Sequence, residues 1–318
     1  MKSPDISIII PTKNGGHDIE KCLSGVFHQE TDYSFEVIII DSGSSDDTVQ
    51  VVKKFPVTLV AMKPEDFNHG KVRNLGGRLA QGRYIVYLTQ DAYPANEHWL
   101  QNLARNLEKD GKVAGVYSRQ LPKPDCNLLE VKRISKAFGP IRQIKNRDGI
   151  REGAHFKEVS NLTQLIQFSN VSSCLRKNIW AKISFNDNSI FGEDQEWAKE
   201  ILEAGYSIVY EPQSVVYHSH NDSLKRQFKR SFDCAVSFKV IKNIKVNPFL
   251  IPILAFYNSY RNYGFIKEST MNFLVQIKWL MYSIAEYFVI NLARWLGIHH
   301  EYLPKSIKRR VTLVPYRW

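Results

Sequence analysis

Residues 85–94 read IVYLTQDAYP, and this stretch decides the fold class of the chain. Four apolar residues, 85–88, lead to a single acid, Asp91, which is followed by Pro94. A buried parallel strand that delivers one carboxylate to the open edge of a sheet has this pattern, and doubly wound folds bind their ligands at that edge. The stretch therefore predicts an α/β fold with a ligand site at the carboxyl ends of its strands.

Two upstream stretches end in the same way. The apolar run 37–40 ends at Asp41, which small polar residues follow, and the run 6–10 ends at Pro11 and Thr12. Each acid has a second interpretation, because acids after a strand often cap the next helix. If the strands are parallel, these polar side chains meet at one edge of the sheet.

The first 120 residues alternate strand-like and helix-like segments. The expected strands are 6–10, 36–40, 57–61 and 84–88, and the expected helices are 18–29, 46–55 and 70–80. This alternation predicts a mostly parallel sheet flanked by helices. Residues 121–160 are expected to form an irregular connector or lid. A helix over 195–204 and strands over 207–210 and 214–218 are expected next, before a helical C-terminal extension.

Charge divides the chain into two expected domains. Residues 221–318 hold 16 Lys/Arg and 5 Asp/Glu, whereas residues 1–220 hold 27 of each, so the second region carries the whole net charge of +11. We expect a catalytic domain over 1–220 and a basic helical region over 221–318. Such a region favours an anionic membrane surface. Nucleic acid is the less favoured partner, because the region has no recognisable nucleic-acid-binding motif.

The segment 273–296 bears on the membrane question. Lys278, Glu286 and Arg294 make it a poor transmembrane helix, while apolar residues at a spacing of three to four predict an amphipathic one. Such a helix packs on the body of the protein or on a partner subunit of a homo-oligomer, or else it lies in the membrane interface. Both interpretations remain open at this stage.

The compartment is inferred from the cysteines and the N-terminus. The four cysteines are scattered without a CxxC pair, which favours a reducing compartment over a disulfide scaffold or a zinc ribbon. The first apolar run is too short for the core of a signal peptide. We therefore expect a cytoplasmic protein at the inner face of a membrane.

Two clusters carry residues suited to chemistry. Glu193 and Asp194 stand at an expected helix start after a polar loop, where they cap the helix or one of them removes a proton from a bound hydroxyl. His218 and His220 follow a strand-like segment, and residues two apart share one face of a strand. With Asp91 they suggest a site for Mg²⁺ or Mn²⁺ rather than for structural zinc.

A third cluster is the segment 67–74, FNHGKVRN. A glycine turn with Lys and Arg at a helix start is typical of a phosphate-facing arrangement. The chain has neither a GxGxxG nor a Walker A loop, which disfavours a dinucleotide oxidoreductase and a P-loop kinase.

The motifs SIIIPTKN, SGSSDDT, LTQDAYP and GEDQEW occur in the order seen in family 2 glycosyltransferases of the GT-A fold, and the chain resembles that family from residue 6 to about 220. The segments FNHGKVRN and LTQDAYP are similar to those of its bacterial rhamnosyltransferase branch. The resemblance implies a nucleotide-binding sheet with a C-terminal helical extension, and an inverting transfer of a sugar.

The resemblance also implies roles for individual residues. Asp194 would be the catalytic base, Glu193 would support it or bind the acceptor, and Trp197 would shape the acceptor side. Asp91 and His218 would bind a Mg²⁺ or Mn²⁺ ion, although Thr89 replaces the first acid of the usual Asp-x-Asp signature. The residues expected to contact the donor are Pro11, Thr12, Asp41, Asn68, His69, Arg73, Gln90 and Asp91.

The leading hypothesis is transfer of L-rhamnose from dTDP-L-rhamnose to a growing surface polysaccharide such as O-antigen, carried on a polyprenyl diphosphate at the membrane. A UDP-hexose donor is the nearest alternative. A sugar-nucleotide pyrophosphorylase would want a glycine-rich basic loop after the first strand, and Lys13-Asn14-Gly15-Gly16 is only a faint version of it. A non-enzymatic membrane or nucleic-acid adaptor would have no use for Asp91, Asp194 and His218 together.

Overall fold

The computed structural model of the chain describes residues 3–152, 155–159, 161–189, 191–242, 246–269, 271–314 and 318. The chain forms two compact units. Unit 1 comprises Met1–Lys123, Ser135–Ser189 and Glu193–His218, and unit 2 comprises Pro124–Ile134, Ile190–Gly192 and Ser219–Trp318.

Unit 1 is built on a single sheet. Its strands are β1 (Ile6–Thr12), β2 (Phe35–Asp41), β3 (Thr58–Ala61), β4 (Tyr84–Leu88), β5 (Tyr93–Pro94), β6 (Val113–Leu121), β7 (Gln143–Asn146), β8 (Gly149–Glu152), β9 (His155–Glu158), β10 (Ser172–Arg176) and β11 (Ser207–Tyr217). They lie in the order β3-β2-β1-β4-β10-β6-β11-β7-β8-β9, and β5 pairs with β11. The pairs β1–β2, β1–β4, β2–β3 and β6–β11 are parallel, whereas β10 runs antiparallel to β4 and β6.

The helices are α1 (Gly16–Phe27), α2 (Thr48–Val52), α3 (His69–Leu79), α4 (Trp99–Lys109), α5 (Leu128–Ala137), α6 (Leu162–Leu165), α7 (Lys177–Trp180), α8 (Glu193–Glu203), α9 (Leu224–Lys242), α10 (Ile251–Glu268), α11 (Phe273–Ile298) and α12 (Lys305–Val311). The predicted α/β class and the expected parallel strands β1 to β4 are confirmed. The C-terminal extension beyond residue 220 is helical, as expected.

Both faces of the sheet are covered, which explains the continuous apolar runs in its strands. On one face Ile8 and Ile10 belong to a core cluster that includes Cys22 of α1 and Trp99 of α4. On the other face α3 lies so close to the sheet that a Cβ on Gly76 would come within 2.3 Å of an atom of Ile9. The isoleucine-rich strands therefore reflect burial from two sides.

The expectation of an irregular connector over 121–160 is wrong. The segment contains α5 and the antiparallel strands β7, β8 and β9. The turn between β7 and β8 is held by Asn146, whose side-chain oxygen accepts from the backbone N–H groups of Asp148 and Gly149. The partner that pairs with the other edge of β7 is the distant strand β11.

The two strands expected over 207–218 are one strand, β11. Its pairing with β6 shifts register between Glu211 and Val215, and this irregularity separates the two segments that the sequence pattern suggested. A bulge bends a strand without ending it, so the chain continues along the same ladder.

Unit 2 is helical. Its buried apolar cluster contains Phe232, Val236 and Ala293. Among the described residues one helix, α11, is long and apolar enough to cross a membrane by length and composition, with a mean hydropathy of 1.3 in its best 18-residue window. That window holds no more than two charged residues, although Lys278, Glu286 and Arg294 all lie on the helix.

Candidate active site

The residues predicted to form a site converge at one edge of the sheet in unit 1. Parallel strands β1, β2, β4, β6 and β11 present their carboxyl ends there, and the antiparallel strand β10 presents its amino end. Leu88 of β4 pairs with Ser172 of β10, and the N–H of Thr89 donates to the carbonyl of Val171. The residues just after β4 and just before β10 are therefore neighbours.

Asp41 ends β2 and holds the loop that follows it. Its carboxylate accepts from the backbone N–H groups of Gly43 and Ser44, each at 3.0 Å, and from the Ser44 hydroxyl. Gly43 has a positive φ of 81°, which favours glycine at this turn. Asp41 therefore holds the loop rather than capping the next helix, because α2 begins only at Thr48 and has Asp47 at its N-cap position.

The end of β1 is joined to the loop after β4 through Gln90. The Gln90 amide accepts from the Lys13 N–H at 2.8 Å and donates to the Lys13 carbonyl at 3.0 Å. Thr12 is buried and donates to the carbonyl of Ile10, and Pro11 is partly buried beside it. Gln90 therefore fixes the relative position of two strand ends where a ligand would bind.

The segment FNHGKVRN, expected to face phosphate, contacts the loop 185–189. Asn68 caps α3 by accepting from the N–H groups of Gly70 and Lys71, and it donates to the carbonyl of Ser189 at 2.6 Å. Asn74 donates to the carbonyl of Phe185. A Cβ on Gly70 would lie 2.3 Å from the Asn186 carbonyl oxygen, so only glycine permits this approach.

The same segment reaches the first residue of α8. The guanidinium of Arg73 lies 3.1 Å from a carboxylate oxygen of Glu193, and each side chain is only 6% exposed. Arg73 also donates to the carbonyl of His69, whose ring packs edge-on against Phe67. The buried Nε of Arg73 has no hydrogen-bond partner among the described residues.

Asp194 is the second residue of α8, one position after Glu193, and it is partly buried. Its two carboxylate oxygens accept from the backbone N–H of Asn170 at 3.2 Å and from that of Gln195 at 2.8 Å. The Asn170 side chain donates to Glu193 at 3.3 Å. Asn170 thus touches both acids, and the sequence alone did not identify it.

The two neighbouring acids have opposite protonation tendencies. Burial, followed by the negative charge of Glu193, raises the pKa of Asp194 to about 7. Burial is the largest influence on Glu193 and opposes its ionisation, but the positive charge of Arg73, the charge of His69 and the hydrogen bond from Asn170 together outweigh it and lower the pKa of Glu193 below its ordinary value. Opposite shifts in adjacent carboxyl groups are typical of sites where one group exchanges a proton and the other stays ionised.

Trp197 lies one helical turn after Glu193 and is 1% exposed. Its indole N–H donates to the carbonyl of Ile183, and its ring packs against Phe168 and Phe185. Trp197 therefore supports α8 from the core.

A carboxylate and an imidazole meet beside the end of β4. The Nε2 of His218 lies 3.7 Å from an oxygen of Asp91, and both side chains are partly exposed. The Nδ1 of His218 lies 3.0 Å from the Gln120 side-chain oxygen, which is an acceptor and therefore assigns a proton to Nδ1, and Nε2 is the nitrogen that faces Asp91. The second histidine of the motif, His220, belongs to unit 2.

The pair of Asp91 and His218 fits a divalent cation. Two ligands at about 2.1 Å from one ion are separated by about 3 to 4 Å, depending on their angle. Thr89, at the first place of the altered Asp-x-Asp signature, has a buried hydroxyl without a hydrogen-bond partner among the described residues. Within unit 1 the donor set therefore includes one carboxylate and one imidazole, and Gln120 orients the imidazole ring through its Nδ1.

Residues 7–158 match the sequence profile of Glycosyl transferase family 2. The chain is 29% identical to the O-antigen chain rhamnosyltransferase WbaN of Salmonella anatum, with 99% of this chain and 96% of the relative aligned. It is also 29% identical to the O-antigen chain rhamnosyltransferase RfbN of Salmonella typhimurium, with 98% of this chain and 96% of the relative aligned.

Solved structures show the same fold. The mannosyltransferase PcManGT of Pyrobaculum calidifontis, in complex with GDP-Man and Mn²⁺, matches 93% of this chain and 88% of its own with a TM-score of 0.58 at 17% identity. Residues 1–349 of TarS of S. aureus match 94% of this chain and 93% of theirs with a TM-score of 0.52 at 16% identity. The chain carries a Glycosyl transferase family 2 domain over residues 7–158 and is a glycosyltransferase with the GT-A fold.

Proposed function

We propose that this enzyme transfers L-rhamnose from dTDP-L-rhamnose to a hydroxyl group of a growing, lipid-linked surface polysaccharide. The observation that carries the choice of donor is the near-full-length similarity to two O-antigen rhamnosyltransferases. The pyrophosphorylase and adaptor alternatives are not retained, because family and relatives identify a glycosyltransferase. A UDP-hexose donor is the competing proposal.

In the proposed mechanism Asp194 is the general base. Each of its oxygens accepts one backbone N–H and keeps a second lone pair, so either can take the proton of an acceptor hydroxyl. The raised pKa of about 7 makes Asp194 a stronger base than an ordinary carboxylate while leaving it partly ionised at neutral pH. The acceptor oxygen then attacks the anomeric carbon opposite the leaving nucleoside diphosphate, which inverts the configuration in one displacement.

Glu193 and Arg73 set the position and charge around this base. Because the guanidinium of Arg73 lies beside it, Glu193 stays ionised next to Asp194 and raises the proton affinity of Asp194. Arg73 was expected to contact the donor, and we propose that it acts first by holding Glu193. We likewise propose that Trp197 acts on the acceptor side through the position of α8.

We propose that the strand ends bind the donor. Pro11, Thr12 and Asp41 would hold the nucleoside, and Gln90, Asn68 and His69 would complete the walls of this site. Asp91 and His218 would hold Mg²⁺ or Mn²⁺, which when bound neutralises charge that develops on the leaving diphosphate.

We also propose a cytoplasmic location, peripheral at the inner membrane, with an acceptor carried on polyprenyl diphosphate. The support is the +11 charge confined to residues 221–318 and the apolar helix α11. An anionic lipid surface would attract such a region by roughly 1 kcal/mol for each cation near it.

The test is a panel of nucleotide sugars assayed for nucleotide release with a lipid-linked glycan acceptor, with Mn²⁺ or with EDTA. We expect turnover with dTDP-L-rhamnose and loss of turnover in EDTA. Faster turnover with a UDP-hexose would replace the donor in this proposal. Full turnover in EDTA would remove the metal from it.

A further inference from the structure

Unit 2 contains a helical hairpin, formed by α10 and α11, that exposes apolar side chains and buries polar ones. Sixteen large hydrophobic side chains are exposed among the described residues, and twelve of them lie between positions 249 and 288. They are Phe249, Leu250, Ile253, Phe256, Tyr257, Tyr260, Tyr263, Phe273, Leu274, Ile277, Met281 and Phe288. Soluble proteins rarely expose a large contiguous apolar patch unless it has a partner.

The buried side of the hairpin is polar. Asn262 of α10 donates to the hydroxyl of Ser283 of α11 at 3.1 Å, and both side chains are buried. Glu286 of α11, 1% exposed, pairs with Arg133 at 2.9 Å. The best apolar window of α11 is only 11% buried. A core helix of a soluble protein would bury that window, so the apolar side of α11 is the outer one.

The outer apolar residues form stripes. On α10 the positions Ile253, Tyr257, Tyr260 and Gly264 follow a spacing of three to four, and Lys267 continues it. Residues with this spacing lie on one face of a helix.

On α11 the stripe runs through Leu274, Ile277 and Met281, with Lys278 four positions after Leu274. Lys267 and Lys278 are both exposed, and neither forms an ion pair among the described residues. Aromatic and aliphatic side chains edged by lysine are typical of surfaces that lie in the headgroup region of a bilayer.

We propose that this hairpin face is a membrane-docking surface that lies in the plane of an anionic bilayer, with its apolar stripes among the acyl chains and its lysines at the headgroups. Only one side of α11 is apolar and exposed, because its other side carries the buried polar residues Ser283, Glu286 and Asn291. A helix that crosses the bilayer would meet lipid or protein all around. A helix that lies in the plane of the bilayer would bury only the exposed apolar face of α11 in lipid.

The choice of lipid over a second copy of the chain rests on charge. Residues 221–318 carry 16 Lys/Arg against 5 Asp/Glu, so two copies of this region would repel each other, whereas anionic lipid would attract it. The inference deepens the proposed function by naming the surface that meets the membrane. It does not depend on the identity of the donor sugar.

The experiment is flotation of the full-length protein with vesicles of phosphatidylglycerol and phosphatidylethanolamine in equal parts, compared with vesicles of phosphatidylcholine alone. The hairpin variant replaces Phe273, Leu274 and Met281 with serine. Its control replaces Leu79 and Ile141, the exposed apolar residues of unit 1, with serine. We expect the hairpin variant to lose vesicle binding by about tenfold for each side chain withdrawn from lipid, while the control floats like the wild type.

A second variant tests the charge. Lys267→Gln with Lys278→Gln should weaken binding to the anionic vesicles by about fivefold for each lysine, and Lys53→Gln with Lys182→Gln should not. Circular dichroism and a thermal shift with dTDP-L-rhamnose show whether each variant folds and binds donor. A protein that floats but binds no dTDP-L-rhamnose would count against the proposed donor alone.

Three outcomes would overturn the docking surface. The wild type fails to float, the Leu79 and Ile141 control loses binding as strongly as the hairpin variant, or the wild type is a dimer in sedimentation that the hairpin variant converts to monomer. The last result would assign the face to a second copy of the chain.

Discussion

Arg73 and Glu193 form a buried ion pair at 3.1 Å, which joins α3 to the first residue of α8. Asp194, the proposed base, is the next residue of α8. The pair therefore controls both where the base lies and the charge that surrounds it. Buried pairs of this kind are costly to break because the remaining partner is left charged and desolvated.

Replacing Arg73 with Met should destabilise unit 1 by about 3 to 5 kcal/mol, because Glu193 would be left unpaired in the core. The measurement is the free energy of unfolding in urea. The double variant R73M/E193Q is the control, and it should recover a large part of the loss because no buried charge remains. A double variant as unstable as the sum of the two single ones would show that the pair is not coupled.

Asp194→Asn should lower kcat by about 10²- to 10⁴-fold, the usual contribution of a general base, with little change in the Kd of dTDP-L-rhamnose. Glu200→Gln is the matched control, since Glu200 is an exposed acid on the same helix, and it should keep the wild-type rate. The measurement is nucleotide release under saturating donor. A kcat for Asp194→Asn within threefold of wild type would exclude Asp194 as the base.

The rate should rise with pH through a transition near pH 7. The proton acceptor must be ionised, and the pKa of Asp194 is raised to about 7. Protonation below that pH therefore removes the base, and kcat should fall about tenfold for each pH unit well below the transition.

Glu193→Gln should move this transition to lower pH. The substitution removes the negative charge that raises the pKa of Asp194 and leaves the Arg73 charge that lowers it. The shift should be partial, because burial is the larger cause of the raised pKa. Profiles of kcat against pH for the two proteins test this, and an unchanged transition would argue against Asp194 as the titrating group.

Gln120→Leu should weaken Mn²⁺ binding by about 10- to 100-fold, the usual effect of losing the group that orients a ligating histidine. Without the Gln120 oxygen the His218 ring loses the acceptor at 3.0 Å that fixes its tautomer. Electron paramagnetic resonance of added Mn²⁺ measures binding without reference to activity. Gln50→Leu, at an exposed position of α2, is the control, and equal affinity in the two variants would contradict the proposed metal site.

Unit 2 should lose stability as the pH rises from about 4 to about 6. The fully buried carboxyl of Asp233 accepts from the Thr312 hydroxyl and the Leu313 N–H, and burial raises its pKa to about 6. Because this native pKa is above the ordinary value of 3.8, the native state holds the proton more tightly than the unfolded state does. The stabilisation is therefore complete below about pH 4 and is lost through about pH 6.

The size of this effect is at most roughly 3 kcal/mol, from about 1.4 kcal/mol for each pKa unit. Thermal unfolding across this pH range measures it. Asp233→Asn keeps the shape of the side chain and should remove this part of the pH dependence. The same slope in Asp233→Asn and wild type would assign the dependence to another group.

Local patterns predicted much of the fold and some of the site. The apolar runs ending at Asp41 and Asp91 predicted parallel strands and a common edge, because burial on both faces leaves a continuous apolar signature. The strands within residues 121–160 were not predicted, because β7 pairs with the distant strand β11 and has no periodic apolar pattern of its own. The acid pair of Glu193 and Asp194 was recognised from its place at a helix start, but its environment was not.

The roles of the C-terminal region and of the donor-contacting residues stay predictions. The amphipathic helix expected over 273–296 exists as part of α11, and its outer face is apolar. The burial of the polar residues Asn262, Ser283 and Glu286 was not predicted, because polar residues in a helix ordinarily indicate its solvent side.

By itself, the sequence determined that one strand ends in Asp41 and that another leads to Asp91, that a basic helical region follows the α/β part, and that an acid pair opens a helix. Only the tertiary structure decided that Arg73 faces Glu193, that Asn170 touches both acids, and that Gln120 orients His218. Those partners lie between 23 and 120 positions apart in the chain. Periodicity records which side of an element is buried, whereas the neighbour across a sheet edge depends on strand order, here on β10 lying antiparallel between β4 and β6.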